Sequence, residues 1–166
     1  MTTTIWRPPA IVRPTAVGII QRGDDLLLMA VKSDDGTIKG WRPLGGTIEF
    51  GERAADALRR EFLEEVGLAI GEPRLLAVLE NLYTHHGAHG HEIVFVFDTQ
   101  LADETAAYRN ESFTFEDGGV RNEVRWVALA LFRSGRETLF PAGLLDQLES
   151  RSISARVAAP PSARSS

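Results

Sequence analysis

Apolar residues recur along this chain in short blocks and, in one stretch, on a helical period. Thr15–Gln21 and Leu26–Lys32 are β-rich apolar runs, and Arg22-Gly23-Asp24-Asp25 between them is a hairpin signal. A polar loop, Ser33–Lys39, precedes Trp41-Arg42-Pro43-Leu44-Gly45-Gly46. Arg53–Val66 is built of good helix formers, with Gly67 placed where a left-handed residue ends a helix. Leu75–Tyr83 and Glu92–Phe97 read as two more strands around a His- and Gly-rich loop. Leu101–Gly119 is acidic and irregular, too long for a plain turn, and reads as a substrate loop or insertion. Val120–Leu131 is strand-like, and Pro141–Glu149 a short amphipathic helix. This order predicts mixed α and β structure in one domain, 15–149. An extended proline-bearing arm, 1–14, precedes it, and a Ser-, Ala-, Arg- and Pro-rich tail, 150–166, expected to be disordered, follows.

Length and charge narrow the partners. The 166 residues suit a single core that needs no staples. A net charge of −5 lacks the basic footprint of phosphate-neutralising nucleic-acid binders, so nucleic acid is not an expected partner. A small phosphorylated substrate remains open, because bound divalent metal supplies positive charge locally. There is no cysteine, which removes disulfides and thiolate zinc sites. Leu26–Val31 is the longest apolar run, far below a membrane span, and the first residues carry no signal-peptide pattern. The expectation is a cytoplasmic protein with no membrane contact. A homodimer is one expected assembly, with the proline-rich arm as a packing or swapped element.

Carboxylates crowd the helical stretch. On a helix at about 100° per residue, Ala54, Ala55, Leu58, Phe62 and Val66 share an apolar stripe that should pack on the sheet. Glu61, Glu64 and Glu65 fall within an arc of roughly 100°. That arc starts at the edge of the stripe, whereas a solvated charge face would lie on the far side, around Arg53, Asp56 and Arg60. The competing reading is a surface helix with an acidic edge; a like-charge pair there costs only about 0.2–0.5 kcal/mol, so repulsion does not exclude it. The full spacing disfavours it: the seven charged and glycine positions Gly46, Glu52, Arg60, Glu61, Glu64, Glu65 and Gly67 would match by chance in about one chain in a million or fewer.

This spacing resembles the Nudix box, and the chain is similar to Nudix hydrolases over about Thr15–Glu149. The resemblance implies a mixed β-sheet sandwiched between helices, an α+β fold of α/β/α type. It implies a pyrophosphohydrolase that cleaves nucleoside diphosphates linked to another group. It also implies Mg²⁺, with Mn²⁺ as a substitute, to neutralise the diphosphate, acidify water and align its attack. Glu61, Glu64 and Glu65 match the family's metal ligands, and the Gly46 carbonyl is a further ligand. Glu52 matches a structural glutamate or more distant metal contact, and Arg60 the arginine that orients the carboxylates. Phe62 stands where an aliphatic residue is common, and Pro43-Leu44-Gly45-Gly46 replaces the family's Leu-Pro-Gly-Gly.

Outside the box, Glu80, Glu92, Glu111, Glu116 and Glu123 are candidates for a further ligand or general base. Glu123 is favoured because Asn122–Val127 resembles the acidic-then-Trp strand after the substrate loop. His85–His91 reads as a polar turn, with zinc or phosphate binding as alternatives. Trp41, Tyr83, Phe113 and Phe115 are as ready to fill the core as to stack on a base. A non-catalytic Nudix-fold nucleotide sensor is the alternative function, although such modules usually lose box glutamates and all four stand here. Isoprenoid-diphosphate isomerases on the related fold use a cysteine, which this chain lacks. The nucleoside and the group attached to it are not legible in the box.

Overall fold

The two leading apolar runs form strands β1 (Val12–Ile19) and β3 (Asp25–Lys32), joined through the short β2 (Gln21–Arg22) with Gly23 in the left-handed region at the turn. This computed structural model describes residues 6–103, 112–117 and 119–158, with side chains to 151. β4 (Ile38–Thr47) leads into α1 (Ala54–Glu61), which continues as a π-helical turn, Phe62–Val66. β5 (Arg74–His85), β6 (Ala88–Asp98), β7 (Ser112–Asp117) and β8 (Val120–Ala128) follow, then α2 (Leu129–Arg133) and α3 (Leu144–Ala158).

The strands form one eight-stranded mixed sheet in the order β5-β6-β1-β4-β3-β8-β7, with β2 on β3. β1 pairs β6 in parallel, and the other pairings are antiparallel. Helices cover both faces, so β3 is apolar throughout instead of alternating. Its Leu27 and Met29 pack toward Ala57, Leu58 and Phe62, while Leu26, Leu28 and Ala30 pack toward Phe132 and Leu144. Phe62, the unusual residue of the box, is 1 % exposed, and burying such a side chain contributes about 1.5–3 kcal/mol. The β5–β6 tip reaches the β3–β4 turn, where His86 pairs with Asp34 and Lys39 Nζ lies 3.0 Å from His85 Nδ1.

Four expectations change at element boundaries. The His-rich segment is mostly strand: β5 and β6 run to a two-residue turn at His86-Gly87, both with positive φ, as a tight hairpin needs. Part of the Leu101–Gly119 loop is strand β7, paired to β8; 104–111 and 118 lie outside the described residues. The Val120–Leu131 run stops as a strand at Ala128, and Leu129 and Phe132 are buried from a short helix. The last helix continues past Glu149 to Ala158, because Ala and Arg propagate a helix readily; within it Ser150 Oγ bonds back to the Asp146 carbonyl at 2.8 Å. The rest of the expected tail, 159–166, is outside the described residues, as are 1–5 of the arm. The described arm packs on its own chain: Arg7 Nε donates to the His86 carbonyl at 3.1 Å, and Trp6 lies 5.9 Å from the His85 ring. No described helix is long and apolar enough to cross a membrane.

Candidate active site

Arg60 organises the acidic stretch. Its Nε and Nη2 donate to Glu52 at 2.8 and 3.0 Å, its Nη1 to Glu61 at 2.9 Å and Glu64 at 3.2 Å, and its Nη2 also to the Thr47 carbonyl at 3.0 Å. Position makes this possible: Arg60 and Glu64 are one turn apart, and Glu52 sits in the loop entering α1. Glu52 also accepts from the Glu49 backbone N–H at 3.1 Å, which ties that loop to the helix. The guanidinium raises its own pKa through these bonds and pulls that of Glu52 below the ordinary range.

Glu65 is different. It accepts no hydrogen bond from the described residues, and burial pushes its carboxyl up to about 7, with Arg42 pulling the other way and Glu61, Asp117 and Glu64 adding to the rise. Burial also raises Glu61, against the pull of Arg60 and with help from Glu64 and Asp117. The π-helical turn contributes to this arrangement. It buries Phe62, leaves Leu63 and Glu64 outward, and ends at Gly67 (φ 66°), whose N–H donates to the Leu63 carbonyl at 3.1 Å. Asp117, at the end of β7, is a carboxylate that sequence reading missed. Phe113 and Phe115 pack toward the box helix, and period-two alternation carries Asp117 onto the same face.

Gly46 brings the main chain against this group. A Cβ there would stand 2.5 Å from the Glu61 carboxyl carbon. Gly45 (φ 134°) would meet the Ala16 main chain if it carried a Cβ, so it permits the β1–β4 pairing that places Gly46. The donors are all oxygens, the set that hard divalent cations prefer, and a partly buried carboxylate with raised pKa is what added positive charge would ionise. The residues therefore fit a Mg²⁺-type ion. Among the described residues no three carboxylates or imidazoles already converge on one point; Arg60 holds Glu61 and Glu64 turned toward itself.

The family model for the NUDIX domain matches residues 12–148, nearly all of the described chain. The chain belongs to the NUDIX domain family. Solved structures with the same fold include a NUDIX hydrolase from Nitrosomonas europaea, 21% identical over 87% of this chain and 90% of that one, TM-score 0.61. A MutT protein from Methanosarcina mazei Go1 is 20% identical over 92% and 99%, TM-score 0.57. An ADP-ribose pyrophosphatase from Streptococcus suis 89-1591 is 18% identical over 86% and 92%, TM-score 0.55. The observed layers match the α/β/α sandwich expected of a Nudix fold.

The other glutamates singled out in the sequence are not brought to the Nudix cluster. Glu123 points to the opposite sheet face: Val124 packs with the box helix, so its neighbour turns away, and Glu123 pairs there with Arg125, itself 5.8 Å from the Trp41 ring. Glu80 accepts from His91 at 2.9 Å, Glu92 pairs with Arg13, Glu116 is exposed on β7, and Glu111 lies outside the described residues. The four histidines do not converge. His85 meets Lys39, His86 meets Asp34, His89 meets Thr84 and His91 meets Glu80. Trp41 is core, with Nε1 donating to Glu137 at 3.0 Å.

Proposed function

We propose that this Nudix protein is a Mg²⁺-dependent pyrophosphohydrolase acting on a nucleoside diphosphate derivative. Water adds across one P–O–P bond: one phosphorus gains the hydroxyl oxygen, the other leaves as phosphate, and the products are a nucleoside monophosphate and the phosphorylated partner group. The observation that carries this reading is the close approach of Glu61 to Gly46, with a partly buried Glu65 that accepts no hydrogen bond from a described residue and lies within electrostatic reach of Glu61, Glu64 and Asp117.

Glu61, Glu64, Glu65 and the Gly46 carbonyl would hold the ion, with Asp117 as a further carboxylate and Glu52 acting at a distance through Arg60. Bound there, Mg²⁺ supplies charge neutralisation of the diphosphate and a lowered pKa for the attacking water. Arg60 keeps Glu61 and Glu64 charged and close to Gly46, and the two carboxylates turn from the guanidinium toward the ion when it enters. Phe62 and Leu58 anchor the helix to the sheet, which sets the distance between the carboxylates and Gly46.

The test is a panel of NTPs, ADP-ribose, NADH, dinucleoside polyphosphates and nucleotide sugars with Mg²⁺ or Mn²⁺. Release of a nucleoside monophosphate that stops on adding EDTA supports the reading. No turnover of any member with either metal would refute it and favour a nucleotide sensor.

A further inference from the structure

A diphosphate approaching this site meets carboxylates, and the guanidinium at their centre is fully used. Arg60 has five N–H donors and makes five hydrogen bonds, to Glu52 twice, Glu61, Glu64 and the Thr47 carbonyl. Arg59 is paired to Asp56 and Glu72, and Arg13 to Glu92. Arg42 is placed differently. It donates no hydrogen bond to any described residue, is partly exposed, and lies within electrostatic reach of Glu65, Tyr83 and His85.

Arg42 also lines a cleft with Thr15, Asn81, Glu92 and Phe140. The walls of that cleft are fixed. A Cβ on Gly40 would stand 2.5 Å from the Phe140 ring, so that ring packs closely on β4, and Tyr83, whose hydroxyl reaches Glu92, packs as closely on Gly90. Glu92 is held by Arg13, by Asn81 Nδ2 at 3.2 Å and by the Tyr83 hydroxyl at 3.2 Å. A rigid carboxylate backed by an amide repels phosphate and receives hydroxyl or N–H donors. A guanidinium with unused donors favours phosphate oxygens, which it binds in a two-pronged fashion. Arg42 and Glu92, which line the same cleft, therefore prefer different parts of one substrate.

We propose that Arg42 binds the substrate's diphosphate and sets its direction, with the diphosphate between Arg42 and the box carboxylates and a donor-bearing ring group in the cleft beside Glu92 and Phe140. This rests on the pyrophosphohydrolase reading for the identity of the substrate, but not for the anion site itself. Arg42 precedes the family's glycine pair by three residues and was not distinguished by any motif.

The experiment is calorimetric titration of inorganic pyrophosphate into metal-free protein in EDTA at low ionic strength. Wild type should bind, Arg42→Ala should bind about tenfold or more weakly, and Arg42→Lys should fall between, since lysine keeps the charge but loses the fork. Arg74→Ala, at the far end of β5, should match wild type, and melting curves of the variants should overlay. Pyrophosphate binding by Arg42→Ala within about twofold of wild type, or no binding by wild type, would overturn the proposal. On a hydrolysed substrate, Arg42→Ala should raise KM about tenfold and change kcat less. Turnover with an unchanged KM in Arg42→Ala sinks the Arg42 assignment and leaves the hydrolase standing. Arg42-dependent binding without any turnover does the reverse.

Discussion

Gly46 and Glu61 meet so closely that a Cβ on the glycine would stand 2.5 Å from the glutamate's carboxyl carbon. The contact is with the end of a flexible side chain, so a substituted residue would displace Glu61 and leave the β4 backbone in place. Gly46→Ala should therefore lower turnover about tenfold or more while costing under about 1 kcal/mol of stability. Steady-state kinetics beside urea denaturation checks both halves. Equal loss in both would mean that Gly46 serves the strand and not the site.

Arg60 concentrates the restraint of three glutamates in one group. Arg60→Ala should destabilise the fold by about 1–2 kcal/mol, a value reduced from that of buried charged hydrogen bonds because Glu64 is well exposed. Arg60→Lys should recover part of the stability, and less of the activity, since one ammonium cannot reach all four acceptors. Urea midpoints with unchanged slopes measure the first effect.

Glu65 makes stability depend on pH. Its folded carboxyl keeps the proton up to about 7, whereas an ordinary glutamate releases it near 4.5. The folded state thus binds more protons between these values, so stability falls as pH rises through that window, and the deficit is constant above it. Below the window both forms are protonated and the contribution vanishes. In metal-free protein, Glu65→Gln should melt close to wild type near pH 4.5 and progressively higher than wild type toward pH 7. A melting-temperature difference that stays flat across that range would contradict the raised carboxyl of Glu65.

Asp117 and Glu123 separate two accounts of the carboxylate outside the box. Asp117 faces Glu61 and Glu65 electrostatically, and Glu123 lies on the other face with Arg125. Asp117→Asn should reduce kcat about tenfold or more, and Glu123→Gln should leave it within about twofold. The opposite pattern would restore Glu123.

The helix, its apolar stripe and its glycine terminator were legible because burial imposes a period and an αL residue favours glycine. Leu58, Phe62 and Gly67 occupy those places. The π-helical turn was not legible, since no residue type marks where a helical ladder widens by one. Asp117 is hidden for another reason: the acidic, irregular composition of Leu101–Gly119 suits a loop, and only as strand β7 do Phe113, Phe115 and Asp117 share a face. The helix beyond Glu149 was masked by Ser and Ala, which suit a tail by composition and a helix by propensity. Arg42 carried no motif; its significance comes from what it does not bond.

The proposed role of the box carboxylates is to hold the ion that enables pyrophosphate cleavage. The most direct measurement is turnover of the best panel substrate at saturating Mg²⁺ by wild type, Glu64→Gln and Glu65→Gln, each shown to be folded by its melting curve. The account predicts a loss of about a hundredfold or more in both variants. Undiminished turnover in both would contradict it.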